Sequence, residues 1–291
     1  MRHIRVLGLC LVAAFALSVA ATSVASASEP ALYECVPAGK ITIKYKKGKH
    51  EYTREVYTGE YKESLCKKAA KDKYRKYTSE PGPEGMYMKQ ELNIAYKGHA
   101  SKFVSVGSPP GTLEVPHVST IVCAHTYDEG EFTGPKTAGN IIAKFTGCKA
   151  SNQPCQNGAT TGEITTNLLK GEVGYISKSA KTVGVDIKAQ SGEVLAEFQC
   201  GLPPAAILRL RTTGSLIGKA TPVDAWSETA TINFEQVGGK QDIKELEGFT
   251  EPDFLITYNC KEKEPCEPEN PTESGESAKG EGKGERLYLK A

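Results

Sequence analysis

Hydrophobic and polar positions alternate along most of the chain beyond residue 110. Val194, Ala196, Phe198 and Cys200 fall on one face and Leu195, Glu197 and Gln199 on the other; Ala230, Ile232 and Phe234 are set against Thr229, Thr231 and Asn233 in the same way. A period of two is what a strand with one buried face requires, because successive side chains point to opposite sides of a sheet. Comparable short runs occupy 118–126, 139–145, 162–166, 172–177, 182–188, 193–200, 206–211, 228–236 and 253–259, with glycine-rich breaks between them. This rhythm predicts an all-β fold, an antiparallel sandwich or barrel over about 108–260, and not a parallel sheet with crossover helices. The near-repeat of Gly130-Glu131-Phe132-Thr133 and Gly162-Glu163-Ile164-Thr165 reads as two similar entries into strands, because two copies do not make a repeat protein.

The segment 28–107 has a different texture. It holds most of the tyrosines and an excess of lysine and arginine over acids, and strand-like alternation appears at 40–46, 51–57 and 86–96. Between these, Cys66, Ala69, Ala70, Tyr74 and Tyr77 recur at helical spacing, so 64–77 is expected to be a short helix whose other face is basic. The stretches 79–85 and 107–111 read as turns. These features divide the chain into a basic tyrosine-rich module (28–107), a β domain (108–260) and a tail (261–291). The tail is rich in Glu, Lys, Pro, Gly and Ser and is expected to be disordered, except that Leu287-Tyr288-Leu289 could add a last edge strand.

Arg2 and Arg5 precede an apolar run over 6–21, and small residues then lead to Ala25-Ser26-Ala27. That order is expected of a secretory signal peptide over 1–27, with Cys10 removed along with it. The run is shorter than the ~18–20 apolar residues that span a bilayer, and no later stretch approaches that length. The full chain carries 36 Lys and Arg against 35 Asp and Glu, a net charge of +1, which gives no reason to expect a specific nucleic-acid partner.

Export changes the meaning of the cysteines. Eight would remain, Cys35, Cys66, Cys123, Cys148, Cys155, Cys200, Cys260 and Cys266, and an even number outside the cytosol reads first as a disulfide framework. Zinc is the rival reading, but there is no C-x-x-C pair and no histidine near the close pairs, so no metal and no cofactor is expected. Eight cysteines allow 105 connectivities. Loop length favours Cys148 with Cys155 around a polar stretch and Cys260 with Cys266 around another. Cys35 and Cys66 share the basic segment, and Cys123 and Cys200 share strand character.

Candidate chemistry is sparse, and no catalytic residue is assigned. Gly214-Ser215-Leu216-Ile217-Gly218-Lys219 imitates a phosphate loop but lacks a residue between its glycines, and Ala220 stands where a hydroxyl is needed. Cys123 and His125 share a strand face with His117 nearby, an arrangement that suits an activated thiol only if Cys123 is unbridged. His50 and His99 lie in Lys- and Gly-rich stretches. Glu163, Glu172, Glu193 and Glu197 are ordinary among so many acids, and no G-x-S-x-G motif occurs. The strongest binding signal is aromatic and cationic: Tyr45, Tyr52, Lys67, Lys68, Lys71, Lys73, Tyr74 and Arg75 could hold an anionic polysaccharide or cell-wall polymer by charge and stacking. The competing reading is a solvated surface whose edge lysines prevent aggregation.

The stretch GEFTGPKTAGNIIAKFTGCKASNQPC at 130–155, with GEITTNLLKGEVGYI at 162–176, AEFQCG at 196–201, GSLIGKATPV at 214–223 and the LYLKA ending, resembles exported, β-rich, disulfide-containing proteins of soil actinobacteria. The resemblance implies an extracellular or envelope location and a β architecture, and it carries no catalytic residues. The basic segment before residue 107 is longer and more charged than the resemblance leads one to expect. The chain is therefore expected to be a secreted, disulfide-stabilised, non-enzymatic protein, with a secreted hydrolase acting through loops of the β domain and a self-associating structural protein as alternatives.

Overall fold

The computed structural model describes residues 30–37, 40–47, 50–57, 77–81, 102–107, 110–201, 207–250, 252–260 and 268–291. The described residues contain no helix. Their strands in chain order begin with β1 (Ala31–Pro37), β2 (Lys40–Lys47), β3 (His50–Tyr57), β4 (Tyr77–Pro81), β5 (Lys102–Gly107), β6 (Gly111–Val115) and β7 (Ser119–Cys123). Next come β8 (His125–Phe132), β9 (Thr137–Thr146), β10 (Lys149–Ala150), β11 (Gln153–Gln156), β12 (Glu163–Thr165) and β13 (Leu169–Ser177). The last are β14 (Thr182–Ala189), β15 (Val194–Cys200), β16 (Leu208–Thr221), β17 (Trp226–Phe234), β18 (Leu255–Cys260), β19 (Pro268–Glu273) and β20 (Gly275–Lys290).

Every pairing is antiparallel, and one circuit of strands closes on itself. β5 pairs with β8, β8 with β9, β9 with β13, β13 with β14, β14 with β16, β16 with β17, β17 with β20, and β20 returns to β5. A closed circuit leaves no free edge for another chain to extend. The result is a ring and not a clear barrel, because a second band branches from it: β6, β7, β10, β11 and β15 lead from the start of β20 to the first half of β16, where β18 and β19 follow. β16 serves both systems. Residues Leu208 to Thr213 pair with β15, while Ser215 to Lys219 pair with β14. The change of sheet falls at Gly214, whose φ of +93° is a backbone conformation that a residue with a side chain rarely adopts.

Eight of the nine runs of alternation each overlap one strand, the run at 118–126 is divided at Ala124 between β7 and β8, and the all-β, antiparallel expectation stands. β16 runs straight through the phosphate-loop look-alike at Gly214 to Lys219, so no helix amino terminus faces a ligand there. The disordered tail is corrected: residues 268–290 form β19 and β20, and β20 is the longest strand described. Composition hid a strand pattern in that segment. Ala278, Gly280 and Gly282 alternate with the exposed Lys279 and Glu281, so the inward face is small instead of large and apolar. Leu287 and Leu289, expected at an edge, lie instead between β1 and β17. β5, on the amino-terminal side of the expected boundary at 107, belongs to the ring through β8 and β20. Of the expected helix at 64–77, residues 64–76 lie outside the described residues and Tyr77 begins the strand β4; the expected strand at 86–96 lies outside them as well.

The disulfide pairing differs from the one that loop length favours. Cys123 is bonded to Cys148 and Cys155 to Cys200. The strands run in the order β7, β10, β11, β15, so Cys148 and Cys155, at the ends of the β10–β11 hairpin, each have a second neighbour on the outer side. Both bonds are made outward. Proximity in sequence therefore misleads, and Cys155 sits directly opposite Cys200 in register. The separations of 25 and 45 residues correspond to about 3.5 and 4 kcal/mol in the chain-entropy relation. Leu210, Phe198 and Ile121 pack around these four cysteines. Cys260 is disulfide-bonded. Cys66 and Cys266 lie outside the described residues, as does the side chain of Cys35, so the pairings Cys35 with Cys66 and Cys260 with Cys266 do too.

Candidate functional site

The interior of the ring is hollow. A cavity of about 280 Å³ is walled mainly by apolar side chains, among them Phe103, Leu113, Ile141, Leu169, Leu195 and Phe234. The hollow follows from the wall that β20 contributes. At its inward positions Ala278, Gly280 and Gly282 supply little or no side chain, where a Leu or Phe would have filled the space. A β-carbon at Gly282 would meet nothing closer than 3.7 Å. β17 supplies the lining residues Glu228, Thr229 and Ala230, all exposed, so this wall is where the cavity approaches solvent.

Two carboxylates face this apolar space. On β8, Thr126, Asp128 and Phe132 line the cavity while Tyr127, Glu129 and Glu131 occupy the other face of the strand. Asp128 lies opposite Ser105 of β5, whose hydroxyl donates to its carboxylate. Gly280 makes room for the pair: a β-carbon there would lie 2.5 Å from Ser105 Oγ and 3.5 Å from Asp128 Oδ2. Burial pushes the Asp128 carboxyl up to about 6, although the Ser105 hydrogen bond acts in the opposite direction.

Glu276, at the start of β20 opposite Leu113, is the second. It is half-buried and lines the cavity, and its carboxylate has no hydrogen-bond or ion-pair partner among the described residues. Its backbone N–H donates to the Gln241 side-chain oxygen at 2.7 Å in the amide orientation that also lets Gln241 donate to the Glu235 carbonyl. Burial, with the nearby Asp128 charge adding to it, pushes the Glu276 carboxyl up to about 7. Desolvation disfavours the charged form of an acid, and a like charge reinforces the effect.

A third buried acid is structural. Asp186 on β14 is fully buried and forms an ion pair with Lys188 at 2.9 Å, leaving Oδ1 without a partner. Burial raises its carboxyl despite that lysine, and Asp253 and Glu172 add repulsion. The segment between β17 and β18 covers this face, with Leu246 fitted against Gly174 and Gly184. Among the described residues no group of His, Cys, Asp and Glu has the makings of a metal site.

Of the residues expected to bind a polymer, Tyr45 and Tyr52 are directly opposite each other in the β2–β3 hairpin, which forms a sheet of its own. Lys67, Lys68, Lys71, Lys73, Tyr74 and Arg75 lie outside the described residues, so no arrangement with the hairpin is described. Cys123 is bridged, which removes any thiol for His125 to activate. Glu163 and Glu197 form ion pairs with Lys144 and Arg211 and do not line the cavity.

Asp128, Ser105 and Glu276 did not stand out in the sequence. The available signal was an acid followed at two-residue intervals by Ala278, Gly280 and Gly282, a period of two in which the inward side chains are missing. No protein-family model, curated protein or solved structure matches this chain.

Proposed function

We propose that this is an exported, non-enzymatic binding protein that takes a small molecule with an apolar body into the interior of its strand ring. The observation that carries the reading is the apolar cavity of about 280 Å³, kept open by glycines on β20. That volume is at the lower edge of the range usual for small-molecule pockets, and an apolar lining with few convergent polar groups is their usual composition. Small eight-stranded closed sheets can hold one small ligand in this way. The two disulfides agree with export, since such bonds persist outside reducing compartments.

The test is to fill the space. Gly282→Leu places a side chain where the added β-carbon makes only ordinary van der Waals contacts, the nearest at 3.7 Å. Calorimetric titration with octanol should show binding to the wild type and at least a tenfold loss in Gly282→Leu, with the circular dichroism unchanged. Equal affinity in both proteins, or no binding to either, would overturn the proposal.

The β2–β3 hairpin supports a second, separate reading, binding of anionic polysaccharide or cell-wall polymer. Its register sets Tyr45 against Tyr52 on strands that also carry Lys40, Lys44 and Arg54. Retention on immobilised heparin should fall steeply with salt and weaken in Tyr45→Ala and Tyr52→Ala. Retention that ignores both salt and these substitutions counts against it.

A further inference from the structure

Building on the cavity reading, we infer that the ligand of the ring interior is an amphiphilic amine, with its apolar body against the ring wall and its ammonium group between Asp128 and Glu276. Charge balance favours this head group. Asp128 and Glu276 line one continuous apolar space, and their only described polar contacts are the Ser105 hydroxyl, which serves Asp128, and each other's charge. A carboxylate removed from water without a partner is costly, and two that repel each other are more so. Glu276 has no hydrogen-bond or ion-pair partner among the described residues and faces the cavity.

An ammonium group placed there meets both needs. It brings the missing positive charge and up to three donors, which suits two carboxylates that offer only acceptors when ionised. A ligand ending in a carboxylate would add a third negative charge, and one ending in a hydroxyl would leave the charge uncompensated. The remaining charged groups lining the cavity are Glu228 on β17 and Lys279 on β20, both exposed. The described residues of β5, β6, β8 and β9 contribute no Lys, Arg or His to the lining.

The pH dependence follows from the same pole. Burial holds both carboxyls above their ordinary values, so acid protonates the pole, converts it from an acceptor of cations into a neutral donor, and releases an amine. Between pH 8 and pH 5 the amine stays protonated while the pole does not stay ionised, so affinity for the amine should fall with acidity and affinity for a neutral alcohol should not.

Octylamine, octanol and octanoate share one apolar body and differ at the head, and titrating each into the whole secreted protein at pH 8 and at pH 5 separates the possibilities. The expected result is octylamine bound at least tenfold more tightly than octanol at pH 8, octanoate weakest, and the amine preference lost at pH 5. Glu276→Gln and Asp128→Asn, close in shape to the native side chains, should each reduce the amine preference severalfold and leave octanol binding in place. If octanol binds as well as octylamine, or the preference persists in both variants, the amine inference fails and the cavity reading stands. If none of the three binds, both fail.

Discussion

The α-carbon of Gly214 stands against the carbonyl oxygen of Phe254, so that a β-carbon added at Gly214 would overlap it. This contact occurs where β16 leaves one sheet and enters the other, and Ser215 N–H donates to the same carbonyl at 3.1 Å. Gly214→Ala therefore combines a positive φ with a steric clash, and the cost is expected to be about 2–3 kcal/mol or more. Urea unfolding should show a lower midpoint with an unchanged slope. A midpoint equal to that of the wild type would show that the strand crosses between sheets in some other way.

The disulfide pairing is testable by mass mapping. Digestion without reductant should release one peptide pair joining Cys123 to Cys148 and another joining Cys155 to Cys200. Replacing Cys155 and Cys200 together by Ala should cost about 3–4 kcal/mol, most of it through the unfolded chain. A recovered Cys148–Cys155 link would contradict the strand order β7, β10, β11, β15.

Leu246 is 1% exposed, although it lies in the irregular segment between β17 and β18. It fits over Gly174 and Gly184, where added β-carbons would lie 2.7 and 3.0 Å from its methyl groups. Leu246→Ala is expected to cost about 2–5 kcal/mol, the range for a large-to-small change in a packed core. If thermal unfolding of the variant matches the wild type, this segment is not part of the cooperative unit.

How much of this was legible in the sequence depends on what each strand turns inward. Where inward residues are large, as with Phe198 on β15, alternation marked the strand: Ala196, Phe198 and Cys200 are buried, and only a register shift between Val194 and Ala196 departs from the pattern by turning Leu195 inward as well. Where they are small, as with Ala278, Gly280 and Gly282, the same period was present but its composition resembled a disordered tail. Hydrophobicity measures what fills a core and is blind to a wall that leaves a core empty, so β20, apart from its Leu287-Tyr288-Leu289 end, and the cavity it shapes went unseen together. The disulfides were expected, but their pairing was hidden for a different reason. Cys148 and Cys155 are near in sequence and lie across a hairpin, but which neighbour each bonds depends on strands far away along the chain.

The two interior carboxyls should make stability depend on pH with an unusual sign. In the unfolded chain Asp128 and Glu276 titrate near 3.8 and 4.5, whereas burial holds them at about 6 and about 7 in the folded protein. Between these ranges the native state binds more protons than the unfolded one, so its stability falls as pH rises. Below about pH 4 both states are protonated and these groups exact no penalty; above about pH 7 the penalty is complete, at a few kcal/mol for the pair. Asp224 and Glu273 run the other way, held low by the Ala291 backbone N–H and by Lys244 respectively, and lose stability only in more acid solution. Urea unfolding measured from pH 5 to pH 8 should therefore show a decline in wild type that is shallower in Asp128→Asn and in Glu276→Gln, and shallowest when both are replaced. An ammonium ligand bound between the two carboxylates should remove the same decline without any mutation, because it favours the ionised pole. A wild-type profile that rises over this interval would mean that Asp128 and Glu276 are ionised in the folded protein at pH 5, and the hollow ring would then have to be wetter than its apolar walls imply.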